Sequence, residues 1–185
     1  MTDTQNHKPA PELSVSQWLN VASSITLKSL GGKVVVIEAF QMLCPGCVSH
    51  GLPQAMRIQQ TFDANQVAVL GLHTVFEHHD AMTPVSLEAF VHEYRLAFPI
   101  GIDTPGQDGM PLTMRAYGMQ GTPSLVIIDQ AGYLRHHYFG QVSDLQVGAD
   151  IATLLADSTR IDDKTNKAPT DEADGSDDMG CVVAD

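Results

Sequence analysis

The apolar positions of this chain change their period from segment to segment, and each period predicts an element. Lys33–Phe40 is a nearly unbroken β-branched and aromatic run. A run of that kind, without alternation, predicts a strand covered on both faces, as in parallel sheets. Val67–Val75 has the same character and predicts a second strand, parallel to the first. Between them, residues 45–62 read as a helix that stops at the turn Asp63-Ala-Asn-Gln66. Such strand–helix–strand units cross over right-handedly by strong default.

The flanking segments are more varied. Residues 1–12 are polar and expected to be extended. Leu13, Val15, Trp18 and Leu19 form a short apolar face expected to dock on the domain. Ile25–Leu27 predicts a short strand, Leu27–Leu30 a turn, and Gly31-Gly32 a break. Thr83-Pro84 supplies an N-cap and a first-turn proline for a helix whose face carries Leu87, Phe90, Val91 and Tyr94. Pro99–Ile102 predicts a short strand, and residues 112–117 a helix stopped by Gly118. Ser124–Asp129 and Tyr133–Phe139 predict an antiparallel hairpin. Ser143 and Gln146 make a capping box for a last helix carrying Val147, Ile151, Leu154 and Leu155. After residue 157 large apolar side chains almost vanish, so 158–185 is expected to be a disordered acidic tail behind a single domain, 1–157. The expected fold is α/β, a mixed sheet of four or five strands flanked by helices.

Composition narrows the function. The 185 residues carry a formal charge of −12. Nucleic acid and anionic membrane surfaces both require clustered Lys and Arg, so neither is an expected partner. No secretory signal is visible at Met1–Lys8, which predicts a cytoplasmic protein. Three cysteines, two of them three apart, favour catalytic or metal-binding roles over structural staples in a reducing compartment.

The candidate chemistry sits at Cys44-Pro45-Gly46-Cys47, between a buried strand and a helix. A thiol at a helix N-terminus faces unpaired backbone N–H groups and the positive end of the dipole, both of which favour the thiolate. Pro45 suits the first turn, where its missing N–H is not needed. Cys47 lies close enough to resolve a mixed disulfide formed at Cys44. Glu38, within the buried strand, is a candidate proton carrier for the exchange; the plain alternative is a carboxylate facing solvent at the strand edge. Thr122-Pro123, just before a strand, is a candidate cis peptide that would turn the Thr122 backbone toward the cysteines to pair with an extended substrate. No cofactor is called for.

Together these residues resemble the thioredoxin superfamily. The entry Leu27-xx-Leu-Gly-Gly-Lys33 and the insert between Val75 and Gly121 look like its TlpA-like and redoxin (AhpC/TSA-related) branch. The resemblance covers residues 10–156. It implies a thioredoxin-like fold, Cys44 as nucleophile, Cys47 as resolving thiol, a cis-proline at Pro123, and Glu38 at the place of thioredoxin's buried Asp. It also implies a disulfide substrate and a thioredoxin- or glutathione-type electron donor. Leu43 replaces the usual Trp before the first cysteine, His50 stands where TlpA-like proteins often have Glu, and Pro53 is displaced by one residue.

Two other functions compete. Peroxiredoxins carry Pro-xxx-Thr-xx-Cys, but Gln41 stands three before Cys44, so the hydroxyl that would hold a peroxide is missing. A copper or zinc module would use Cys44, Cys47 and His50 on one helix face, with His73, His78, His79, His136 and His137 as further donors. His50 otherwise reads as a helix-surface side chain near the cysteines. Cys181, in the tail, is an exposed free thiol or a third exchanging thiol.

Overall fold

The computed structural model describes residues 8–165, with side chains to 157. A six-stranded mixed sheet runs in the order β1-β4-β3-β2-β5-β6. Its strands are β1 (Val15–Leu19), β2 (Val34–Phe40), β3 (Val67–His73), β4 (Ile100–Asp103), β5 (Ser124–Ile128) and β6 (Leu134–Phe139). β2, β3 and β4 are parallel, while β1, β5 and β6 add antiparallel edges. The helices are α1 (Leu52–Thr61), α2 (Pro84–Glu93), α3 (Leu112–Tyr117) and α4 (Asp144–Thr165).

All seven residues of β2 are buried, because helices or chain segments cover both faces of the sheet. Val34, Val36 and Phe40 pack with Leu52, Ala55 and Ile58 of α1 and with Val147 and Ile151 of α4. Val35, Ile37 and Ala39 pack with Met114, Tyr117 and the N-terminal segment. The two-residue period of a strand therefore places Glu38 on the α1 side, between Val36 and Phe40.

Four expectations are corrected. The sheet has six strands because Val15–Leu19 pairs with β4 as an edge strand instead of only docking. Gly101 makes room for it: a Cβ there would stand 2.8 Å from Val15 Cγ2 and 3.3 Å from the Trp18 ring. Ile25–Leu27 is not a strand. Thr26 instead caps a single 3-10 turn, Leu27–Leu30, through reciprocal bonds with Ser29. The helix expected over 45–62 is interrupted by a π turn, Cys47–Gly51, whose wider ring is closed by Leu52 N–H to the Cys47 carbonyl. Pro53, which has no N–H to donate, sits at the start of the regular helix that follows. α4 itself is described as far as Thr165. Only half of the Ser143 capping box forms: Gln146 N–H donates to Ser143 Oγ, but the Gln146 side chain reaches Asp150. Residues 166–185, with Cys181 and most of the expected tail, lie outside the described residues.

Candidate active site

β2 delivers the chain to its carboxyl end, where Gln41–Leu43 turn and Cys44 opens the helix. Cys44 N–H donates to the Gln41 carbonyl, and Val48 N–H to the Cys44 carbonyl. Cys44 is partly exposed, and its sulfur accepts the Cys47 N–H at 3.2 Å. The same sulfur lies 3.5 Å from the Thr122 carbonyl oxygen. Cys47 is fully buried. Burial pushes its thiol well up, as does its bond with Cys44, against donation from the Gln41 N–H and the Thr122 hydroxyl. Thr122 thus meets the Cys44 sulfur through its backbone, and its side chain bears on the Cys47 thiol.

The Thr122–Pro123 peptide is cis, and Pro123 packs under the helix start. A Cβ on Gly46 would stand 3.2 Å from Pro123 Cδ. Pro45 is exposed beside it, and its carbonyl accepts from Ser49 Oγ at 2.8 Å. Leu43, 57% exposed, stands where an aromatic residue was expected from the resemblance.

Glu38 is buried, and its Oε1 has no hydrogen-bond partner among the described residues. Burial raises its carboxyl well above the ordinary range, and the neighbouring Cys44 adds to the effect. The carboxyl occupies the space that a side chain at position 51 would need. A Cβ on Gly51 would overlap Glu38 Oε1 and come within 3.1 Å of Pro123 Cβ. Glu38, Gly51 and Pro123 therefore converge at one point behind the cysteines. Gly51 was not singled out in the sequence, although a glycine inside a helical pattern is a costly choice whose usual reason is packing. Gly51→Ala is expected to destabilise the fold by about 2 kcal/mol by urea unfolding, despite alanine's better helix propensity. In a Glu38→Ala background the same change should lose much of its effect. Additivity between the two substitutions would show that the carboxyl and the glycine do not share this space.

The candidate metal donors are not assembled. His50 Nε2 lies 3.1 Å from the Val142 carbonyl oxygen. Among the described residues, no group of three or more His, Cys, Asp or Glu side chains is placed to hold a metal ion. Gln41 is buried and engaged elsewhere: its Oε1 accepts the Phe76 N–H, and its Nε2 donates to Glu77.

Comparisons with known proteins agree with this architecture. The chain is similar to a thioredoxin-like superfamily protein of solved structure, at 64% identity and a TM-score of 0.79, covering 80% of this chain and 96% of the other. A thiol-disulfide isomerase from Corynebacterium glutamicum is 47% identical, with a TM-score of 0.77 and the same coverage. Protein DipZ of Mycobacterium tuberculosis is 30% identical over 135 residues, 71% of this chain. The chain spans only 18% of the length of that curated relative. The AhpC/TSA family model matches residues 7–137, well over half of the sequence, and on that match the chain belongs to the AhpC/TSA family.

Proposed function

We propose that the chain is a thiol–disulfide oxidoreductase working as a disulfide reductase through Cys44 and Cys47. The observation that carries this reading is the setting of the Cys44 sulfur. Cys44 is partly exposed, and its sulfur takes a backbone N–H from Cys47 and lies beside the Thr122 carbonyl, where an extended peptide edge would pair.

In this reading the Cys44 thiolate attacks one sulfur of a substrate disulfide. The substrate S–S bond breaks, and its second sulfur leaves as a thiolate that takes up a proton. Cys47 then gives up its proton and attacks the Cys44 sulfur. The mixed disulfide breaks, the second substrate thiol is released, and Cys44–Cys47 is left oxidised. A thiol that burial keeps protonated needs a base, and Glu38 is the carboxylate whose raised affinity for a proton suits that task. Two electrons from a thioredoxin- or glutathione-type donor restore the dithiol. The similarity to a protein named as a thiol-disulfide isomerase supports this class of chemistry. Peroxide reduction is less well served, since Gln41 offers no hydroxyl and its amide is turned to Phe76 and Glu77.

The test is equilibration in glutathione buffers, with the two thiols counted by alkylation. One disulfide joining Cys44 to Cys47 is expected to form and break reversibly, at a potential between about −270 and −120 mV. The dithiol is also expected to reduce insulin with dithiothreitol as donor. A pair that does not exchange, or one that hydrogen peroxide oxidises faster than any disulfide does, would overturn the proposal.

A further inference from the structure

The helix carrying the cysteines is tied to a loop that has no cysteine chemistry of its own. His50 stands one turn after Cys47, half-buried, with Nε2 3.1 Å from the Val142 carbonyl oxygen. A carbonyl only accepts, so this contact requires the proton on Nε2. Gln54, one turn further and buried, donates from Nε2 to the same carbonyl at 2.9 Å and to Asp144 Oδ1 at 2.7 Å. One half-buried loop carbonyl thus takes two donors from the active-site helix. Two residues before Val142, Gly140 adopts φ 78°, a conformation open to glycine, and its N–H donates to the Pro123 carbonyl at 2.9 Å. Pro123 follows Thr122, whose carbonyl faces the Cys44 sulfur. The contacts close a ring that runs from Cys47 through His50, Val142, Gly140 and Pro123 to Thr122 and back to Cys44.

We infer that His50 is a positioning residue: by gripping Val142 it holds the Gly140 turn, and through Gly140 it fixes the Thr122–Pro123 edge at the height where a peptide substrate pairs beside Cys44. This rests on the reductase reading only for the choice of substrate. The ring itself is a property of the folded chain. Because Thr122 binds rather than reacts, the effect belongs mainly in substrate affinity. His50→Leu removes one of the two donors and leaves the cysteines and their helix in place.

Two measurements test this in the full-length protein. The first is amide hydrogen exchange at Gly140 by NMR, expected to be about fivefold faster in His50→Leu, the scale of one ordinary hydrogen bond. The second is insulin reduction, where the KM for insulin is expected to rise about fivefold with kcat within twofold. His50→Gln, which keeps an N–H donor, should return both to within twofold of the parent. His50→Ala carries the same expectation as His50→Leu and serves if the leucine variant does not fold. Unchanged exchange at Gly140, a loss confined to kcat, or a glutamine variant as impaired as the leucine one would overturn the inference. Gly140 exchange is read without redox chemistry. A parent chain that reduces no insulin would therefore defeat the functional reading while leaving this result standing.

Discussion

A Cys47→Ser chain should capture its substrate and fail to release it. Cys44 would still attack, since it is partly exposed and its sulfur keeps the Cys47 backbone N–H at 3.2 Å, a contact that serine at 47 preserves. The second attack would be gone. Insulin turnover should fall by a factor on the order of 10³ or more in both Cys44→Ser and Cys47→Ser, because groups that act as a unit lose nearly everything when one is removed. The two variants differ in what they hold. Cys47→Ser should accumulate a mixed disulfide through Cys44, visible by mass on non-reducing analysis, and Cys44→Ser should accumulate none. The asymmetry follows from accessibility, since Cys47 has no exposed surface from which to reach a protein disulfide. Trapping by Cys44→Ser instead would reverse the two roles. Cys181 supplies the control, because a Cys47→Ser, Cys181→Ser chain should trap substrate equally well. A Cys44–Cys181 bond in place of the substrate adduct would make the third thiol a participant.

The parts of this site that were legible in the sequence are those set by neighbours along the chain. The Lys33–Phe40 run determines a buried strand, and the Cys-Pro-Gly-Cys turn follows it within one helical start, so Cys44 and Glu38 could be placed together from spacing. The parts that were not legible depend on contacts between distant segments. Val15 and Trp18 do not alternate with polar residues as a half-buried strand should, and what makes them a strand is the bare Cα of Gly101 across the sheet. Pro53 was noted only for its displaced position, and nothing along the chain marked the π turn at Cys47–Gly51. Gly51 matters because Glu38 and Pro123 meet there from two different strands or their approaches. His50 looked like a surface side chain because its partner, the Val142 carbonyl, lies 92 residues away. Backbone carbonyls leave no mark in a sequence pattern, so contacts to them are invisible until the fold is known.

Stability should respond to pH through two buried groups that pull in opposite directions, Glu38 Oε1 and His73 Nε2, both without a hydrogen-bond partner among the described residues. Burial lowers His73 to about 4 from its ordinary 6.5. Above about pH 6.5 the imidazole is neutral in the folded and unfolded chains alike, and it has no effect on their balance. As pH falls below that value the unfolded chain takes up a proton that the folded chain refuses, so stability is lost down to the folded value near 4. At 1.36 kcal/mol per pH unit, the loss at pH 4.5 is about 2.5 kcal/mol. Glu38 has the reverse sign. Its folded carboxyl titrates well above the unfolded one, so the stability it contributes at low pH is lost as pH rises toward the folded value. Between about pH 4.5 and 6.5 the two slopes oppose and largely cancel, so the parent's urea midpoints should stay nearly level there and fall only along an alkaline limb above about pH 6.5. His73→Leu should lose that compensation and fall from about pH 4.5 upward, so that the variant gains about 2–3 kcal/mol on the parent between pH 7.5 and pH 4.5. Glu38→Gln should abolish the alkaline limb and expose an acid limb below about pH 6.5 that comes from His73 alone. Curves that stay parallel to the parent in either variant would show that the buried group keeps its charge by opening the structure to water, and the corresponding limb would then need another titrating residue.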